Sequence, residues 1–323
     1  MSPQTEHWAE KPENGSYLGI RILLGLYRYG GKWLMLLCLA PVTAYFFLKD
    51  RRARQASMQF LTRVHQFSAD ASPFRHTPGY WQSYCHFWQF SLAALAKIDA
   101  WIGRLSADKD VTRCGDIQFG DMVASGKGGI IISSHLGNTE VCRALVTSRY
   151  PTRINVLTFT RHAAAFNQAL KDANRQVDLN LIQVDNFTPD LAIMLKERTE
   201  QGEFVVIVGD RISANVPERS VWAEFIGQPA PFAVGPWVLA SVLECPAYLM
   251  FCIKTPQQYQ LIFETFAPQI NLPRKTRQQQ LQHYISRYAS RLEQQACRYP
   301  LQWFNFYDFW QLPSASQHKE SSR

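Results

Sequence analysis

From Ile117 onward the chain alternates short, almost unbroken apolar runs with helical stretches, and the runs are "GGIIISS", "RINVLTFT", "LNLIQVD", "EFVVIVGD" and "AYLMFCI". A strand with one wet face alternates apolar and polar residues, whereas a strand covered by helices on both sides gives no face to water. These runs therefore predict an α/β fold, with a mostly parallel central sheet flanked by helices. The connecting segments agree. Thr188 followed by Pro189 opens "DLAIMLKERTEQGE" as an N-cap with proline at the first helical position. "YLMFCIKTPQQYQLIFETF" reads as an antiparallel pair turning around Pro256. From Arg277, residues Leu281, Tyr284, Ile285, Tyr288 and Leu292 fall on one stripe of an amphipathic helix suited to packing on the sheet. Residues 51–106 lack strand alternation and read as helices broken around Pro73 and Pro78.

Ahead of this body, between Lys32 and Lys49, stands "WLMLLCLAPVTAYFFL", sixteen uncharged residues interrupted by Pro41. As a helix it measures about 24 Å at 1.5 Å per residue, short of a hydrocarbon core of about 30 Å. The preceding "YLGIRILLGLYRYGG" is apolar apart from Arg21 and Arg28, so the pair suits either a span with snorkelling lysines or a hairpin lying in the interface. A buried core helix is the competing reading. A cleaved leader fits poorly, because no small-residue cleavage site follows the run. Lys49, Arg51, Arg52 and Arg54 close the segment and place the body on the cytoplasmic side if it spans. The expected organisation is a polar N-terminus at 1–17, a membrane anchor at 18–50, one α/β body at 51–312 and a disordered polar tail at 313–323.

Composition narrows the partners. With 46% hydrophobic residues the chain holds ample material for a core, and its formal net charge of +8 favours an anionic partner. No Lys/Arg block or RNA-binding signature points to nucleic acid. The seven cysteines are scattered and never form C-x-x-C, which argues against a disulfide framework or a zinc site. A nucleophile elbow of the form G-x-S-x-G and the H-E-x-x-H metal motif are both missing from the sequence, and "SGKGG" lacks phosphate-loop spacing.

One short stretch concentrates chemistry. In "IIISSHLGNTEVCRAL" a histidine ends an apolar run and a glutamate follows five positions later. On one continuous helix His135 and Glu140 stand about 140° apart and cannot meet. With His135 in a strand-to-helix turn, Gly137 permits the bend, Asn138 caps, and the Glu140 carboxylate can reach back to one imidazole nitrogen. That makes a base and its orienting acid without a nucleophile. The same residues also suit a plain βα turn with an ordinary helix-start glutamate.

"SSHLGNTE" resembles the H-x4-E motif of the late lipid A acyltransferases, membrane enzymes within the wider glycerolipid acyltransferase superfamily. "GKGGIIISSHLGNTE", "LKERTEQGEFVVIVGDR", "AEFIGQPAPFAVGPWVLASVLECPAYLM" and "YPLQWFNFYDFW" follow in that family's order, and the resemblance runs from about residue 18 to 312. Two blocks depart from it. Asp210 is followed by Arg211 where the family usually has Asp-Gln, and Phe304, Asn305, Phe306, Tyr307 and Asp308 stand where it carries His-Arg-Arg after a tryptophan. The Gly-Asp-Arg variant is closer to relatives that accompany aryl-polyene or similar specialised-lipid biosynthesis.

The resemblance implies an O-acyltransferase on the cytoplasmic side of a bacterial inner membrane, with no cofactor or metal. It would move a fatty acyl group from a thioester, on acyl carrier protein or coenzyme A, to a hydroxyl of a lipid or glycolipid acceptor. His135 would take the hydroxyl proton, with Glu140 fixing its tautomer. Backbone N–H groups at Gly137 and Asn138 would stabilise the oxyanion, assisted by Arg161 or Arg211. Asp210 and Arg211 suit a structural pair as well as a place in the site. By themselves Phe225, Gly227 and Pro229 read as a turn packed beneath the sheet; the resemblance makes them a wall of the acyl or acceptor pocket. Trp303 could line the same cleft or serve as a core aromatic. A non-catalytic, membrane-anchored lipid- or carrier-binding protein of the same fold is the alternative, and a thioesterase-like hydrolase is a third reading.

Overall fold

The computed structural model describes residues 17–101, 103–147, 149–150, 152–158, 181–184, 188–212 and 219–312. Three helices lead: α1 (Tyr17–Lys49), α2 (Arg51–Ser68) and α3 (Tyr80–Trp101). The α/β body follows as β1 (Val111–Gly115), α4 (Phe119–Ala124), β2 (Gly129–Ser133), α5 (Thr139–Thr147), β3 (Ile154–Thr158) and β4 (Leu181–Gln183). After these come α6 (Pro189–Glu200), β5 (Phe204–Val208), β6 (Ser220–Phe225), β7 (Gln228–Ala233), α7 (Gly235–Leu243), β8 (Ala247–Lys254), β9 (Tyr259–Ala267) and α8 (Arg277–Arg298).

Seven strands form one sheet in the order β1-β9-β8-β2-β5-β3-β4, parallel at every pairing except β8 with β9. The apolar runs are unbroken for the expected reason. Ile130 and Ile132 of β2 join the core beneath α6, α7 and α8, while Ile131 faces the opposite core with Val141 and Leu145 of α5. The N-cap of α6 is Thr188, whose hydroxyl accepts from Leu191 N at 3.3 Å. The stripe of α8 is buried at Leu281, Ile285, Tyr288 and Leu292.

Two strand elements were not anticipated. The edge strand β1 reads "VTRCG", and only Val111 is buried, so no apolar run marks it. The segment expected as a turn or pocket wall contains an antiparallel hairpin, β6–β7, pairing Trp222 with Pro231 and Glu224 with Pro229. Its two-residue turn places Ile226 and Gly227 at positive φ, 54° and 70°, as primed hairpin turns require.

The segment expected as a membrane anchor is a bent pair of helices and does not form a single spanning helix. Helix α1 breaks at Gly31 (φ 76°). The part from Trp33 to Lys49 meets α2 at 91°, and among the described residues no single helix is long and apolar enough to cross a membrane, although this bent pair passes together by length and composition. The corner is tied by Asp50, which accepts from Ala53 N at 3.0 Å, and by Arg54, which donates to the Phe47 and Leu48 carbonyls at the end of α1. One side of α1 packs through Met35 against Leu95 and Ile98 of α3, and through Phe47 against Phe87. The other side presents Trp33, Leu37, Tyr45 and Leu48 to the exterior, Trp33 at 85% exposure. The expected polar N-terminus, apart from Tyr17, and the tail from Pro313 lie outside the described residues, as does Arg161.

Candidate active site

Strand β2 ends at Ser133 and its chain turns through His135 to Asn138 before α5 begins. Gly137 has φ 77°, and a Cβ there would stand 2.0 Å from the Cys252 carbonyl oxygen. Only glycine tolerates both conditions. Asn138 caps α5 as expected, its Oδ1 accepting from Val141 N at 3.3 Å, while its Nδ2 donates to the Ala93 carbonyl of α3 at 2.7 Å. The turn is stitched on two sides: Gly137 N donates to Gln302 O and Asn138 N to Cys252 O, each at 2.8 Å, and Phe304 N donates to His135 O at 2.9 Å.

Those bonds correct the expected oxyanion donors. The Gly137 and Asn138 N–H groups are already engaged, because the turn is clamped between β8 and the chain following α8. They do not point into an open cleft.

The partner of His135 also differs from expectation. Its Nδ1 lies 2.8 Å from Asp210 Oδ1, and its backbone N donates to Asp210 Oδ2 at 2.9 Å. Asp210 follows β5, the neighbour of β2 in the sheet, so the two parallel strands deliver base and acid side by side at their carboxyl ends. Glu140 instead pairs with Arg143 one turn along α5, at 2.5 Å. Helical spacing explains this: positions three apart share a face, and the buried Arg143 side chain takes the carboxylate that was expected to reach back.

Asp210 is 1% exposed and accepts further bonds from Trp303 Nε1 and Asn305 Nδ2, both at 3.0 Å on Oδ2. Asn305 in turn accepts from Arg211 Nε through Oδ1 at 2.8 Å. A carboxylate only accepts and a guanidinium only donates, so this pair of contacts fixes the orientation of the Asn305 amide. Burial pushes the Asp210 carboxyl up, but the His135 interaction and the Arg211 charge outweigh it and hold the group below its usual range. It is an anion, and the His135 nitrogen facing it carries the proton. Nε2 is left as the basic nitrogen of a side chain that is 27% exposed. Burial and the charges of Arg211 and Lys97 lower the His135 pKa below 6.5, with Asp210 opposing them, so the imidazole is neutral at pH 7.

Arg211 spans Asn305 and the Phe304 carbonyl, the latter at 3.0 Å from Nη2, and acts on Asp210 through its charge. Phe225 is fully buried behind Trp303, ring centroids 5.2 Å apart, one ring removed from the carboxylate. Gly227 and Pro229 sit at the exposed end of the β6–β7 hairpin, the glycine close to Phe67 of α2. Sequence reasoning missed Asn305 and the polar use of Trp303. Trp303 and Asn305 lie more than ninety residues from Asp210 along the chain, and no local pattern connects them.

The mostly parallel α/β sheet sets a neutral histidine and a buried aspartate side by side at adjacent strand ends, an arrangement of the kind that general base catalysis uses. The particular family follows from the sequence as a whole. Residues 15–311 match the model of the bacterial lipid A biosynthesis acyltransferases, and the chain belongs to that family. Family membership makes acyl transfer onto a lipid the class of reaction. No curated protein matches the chain.

Proposed function

We propose that this protein is a membrane-associated O-acyltransferase in which His135 is the general base, oriented by Asp210 rather than by Glu140. The observation that carries the reading is the 2.8 Å contact between His135 Nδ1 and a carboxylate fully enclosed by donors. With Nδ1–H committed to Asp210, Nε2 takes the proton of the acceptor hydroxyl as its oxygen attacks the thioester carbonyl. A C–O bond forms, the tetrahedral oxyanion collapses, and the thiolate leaves and collects the proton from the imidazolium. Asp210 stabilises that imidazolium without itself becoming protonated. Arg211 and Lys97, the two cations whose fields reach His135, are the groups to stabilise the oxyanion. Glu140 holds the buried Arg143 and so stiffens the first turn of α5.

The donor is an acyl thioester on acyl carrier protein or coenzyme A, and the net charge of +8 favours an acidic carrier. The acceptor is a lipid or glycolipid hydroxyl. The Asp210-Arg211 variant favours a specialised lipid over a lipid A precursor. The apolar outer side of α1, with the arginines at its corner with α2, lies in the interface of the bacterial inner membrane and keeps the body in the cytoplasm. Asp50 and Arg54 shape that corner.

The test is acyl transfer by detergent-solubilised full chain, wild type against His135→Ala, from labelled acyl carrier protein and acyl-CoA into a total lipid extract. The expected result is a labelled lipid made by the wild type and reduced by about 10²- to 10⁴-fold in the variant, the range for a lost general base. Equal product from both proteins would remove His135 as the base, and mass spectrometry of the product names the acceptor.

A further inference from the structure

Besides the two bonds from His135, the Asp210 carboxylate accepts from Trp303 and Asn305, whose segment is joined to the His135 turn through Gln302 O and Phe304 N. A second tie to this segment comes from a polar cluster between two helices of the N-terminal layer. Ser57 of α2 and Ser83 and His86 of α3 are each fully buried. Ser83 Oγ donates to Ser57 Oγ at 2.9 Å, Ser57 Oγ lies 3.0 Å from His86 Nδ1, and His86 Nε2 lies 3.0 Å from the Trp303 carbonyl oxygen. A carbonyl can only accept, so Nε2 carries the proton, Nδ1 is bare, and the Ser57 hydroxyl donates to it. Every bond then runs in one direction, ending at the backbone of the residue whose indole holds Asp210.

Three buried polar side chains are costly unless each is paired. Each of the three is paired, and among the described residues the chain of bonds leads out to Trp303. Packing supports the same link, since the His86 ring lies 4.6 Å from that of Phe306 and the Phe60 ring 4.7 Å from that of Trp303. We propose that His86 is a positioning residue for acyl transfer, which through Trp303 fixes the Asp210 carboxylate and thereby the tautomer of His135. The effect on turnover rests on the acyl-transfer reading, whereas the link from His86 to His135 does not.

The test uses imidazole nitrogen NMR on full-length, ¹⁵N-histidine-labelled protein in detergent, together with kcat and KM for acyl transfer. In the wild type, His86 is expected as the Nε2–H tautomer and His135 as the Nδ1–H tautomer. Finding His86 as Nδ1–H would overturn the proposal before any variant is made. In His86→Leu, or in His86→Phe, which keeps an aromatic ring beside Phe60 and Phe306, His135 should become a mixture of tautomers. Its kcat should fall about 10- to 100-fold, the usual cost of losing an outer partner of a reactive group, with KM unchanged. His86→Gln, whose amide can donate to Trp303 and accept from Ser57, should restore both. A folded Leu or Phe variant with wild-type His135 signals and wild-type kcat would overturn the proposal. An inactive wild type showing the expected tautomers would instead refute acyl transfer and leave the positioning link in place.

Discussion

A carboxylate enclosed by the His135 backbone and ring, the Trp303 indole and the Asn305 amide, as Asp210 is, has little tendency to take a proton and is well placed to hold an imidazolium. This separates two acids that the sequence alone leaves as rivals. Asp210→Asn should lower kcat by about 10³- to 10⁴-fold, as loss of the orienting acid does in histidine-based catalysis. Glu140→Gln should cost far less in kcat but lower Tm, because Arg143 stays buried without its paired charge. Comparing kcat and Tm of the two folded variants checks both outcomes. The pH dependence follows the same logic. As the proposed base His135 acts in its neutral form, and its pKa is lowered by burial first and by Arg211 second, so the acid limb of kcat/KM should fall below pH 6.5. Asp210 opposes that lowering. Replacing it with asparagine should therefore move the limb to still lower pH, which a pH–rate profile on residual activity would reveal.

At the scale of elements, the junction of α2 and α3 carries a pH-sensitive contribution to stability. His86 is neutral in the fold, its pKa lowered by burial to about 4, against an ordinary value near 6.5. The unfolded chain binds this proton first as the pH drops, so the contribution is full above pH 6.5 and is lost as pH falls toward 4. At 1.36 kcal/mol per unit the loss is on the order of 3 kcal/mol. Urea unfolding at pH 7 and pH 4.5 should show it, and His86→Gln should flatten the difference. How legible the elements were depends on burial. Strand β2 is buried at all five residues and announces itself, whereas β1 buries only Val111 and hides. The β6–β7 hairpin hides for another reason: Pro229 and Pro231 occupy strand positions that sequence rules reserve for edges.

For the whole molecule, the outer face of α1 is the feature without a covering partner among the described residues. Trp33 and Leu37 are 85% and 71% exposed, so replacing both with glutamate should leave Tm unchanged. Flotation with anionic phospholipid vesicles should nonetheless show weaker binding, by several-fold or more. The wild-type interaction should also weaken with added salt, through the arginines at the α1–α2 corner. Equal flotation of wild type and variant would assign this face to another role.

What the sequence determined by itself was periodic or local: strands buried on both faces, the Thr188 cap, the α8 stripe, and a histidine placed in a βα turn by Gly137 and Asn138. Each rests on residues within a few positions of one another, where backbone geometry and burial leave a direct imprint. What only the tertiary structure decided was which acid faces that histidine. Glu140 lies five residues away and turns to Arg143, whereas Asp210 lies seventy-five residues away and arrives on the adjacent strand. Trp303 and Asn305 reach the same carboxylate from still greater separations, and His86 bonds to the Trp303 carbonyl from farther away again. Hydrogen bonds between distant segments follow strand order and helix docking, and neither leaves a pattern along the chain.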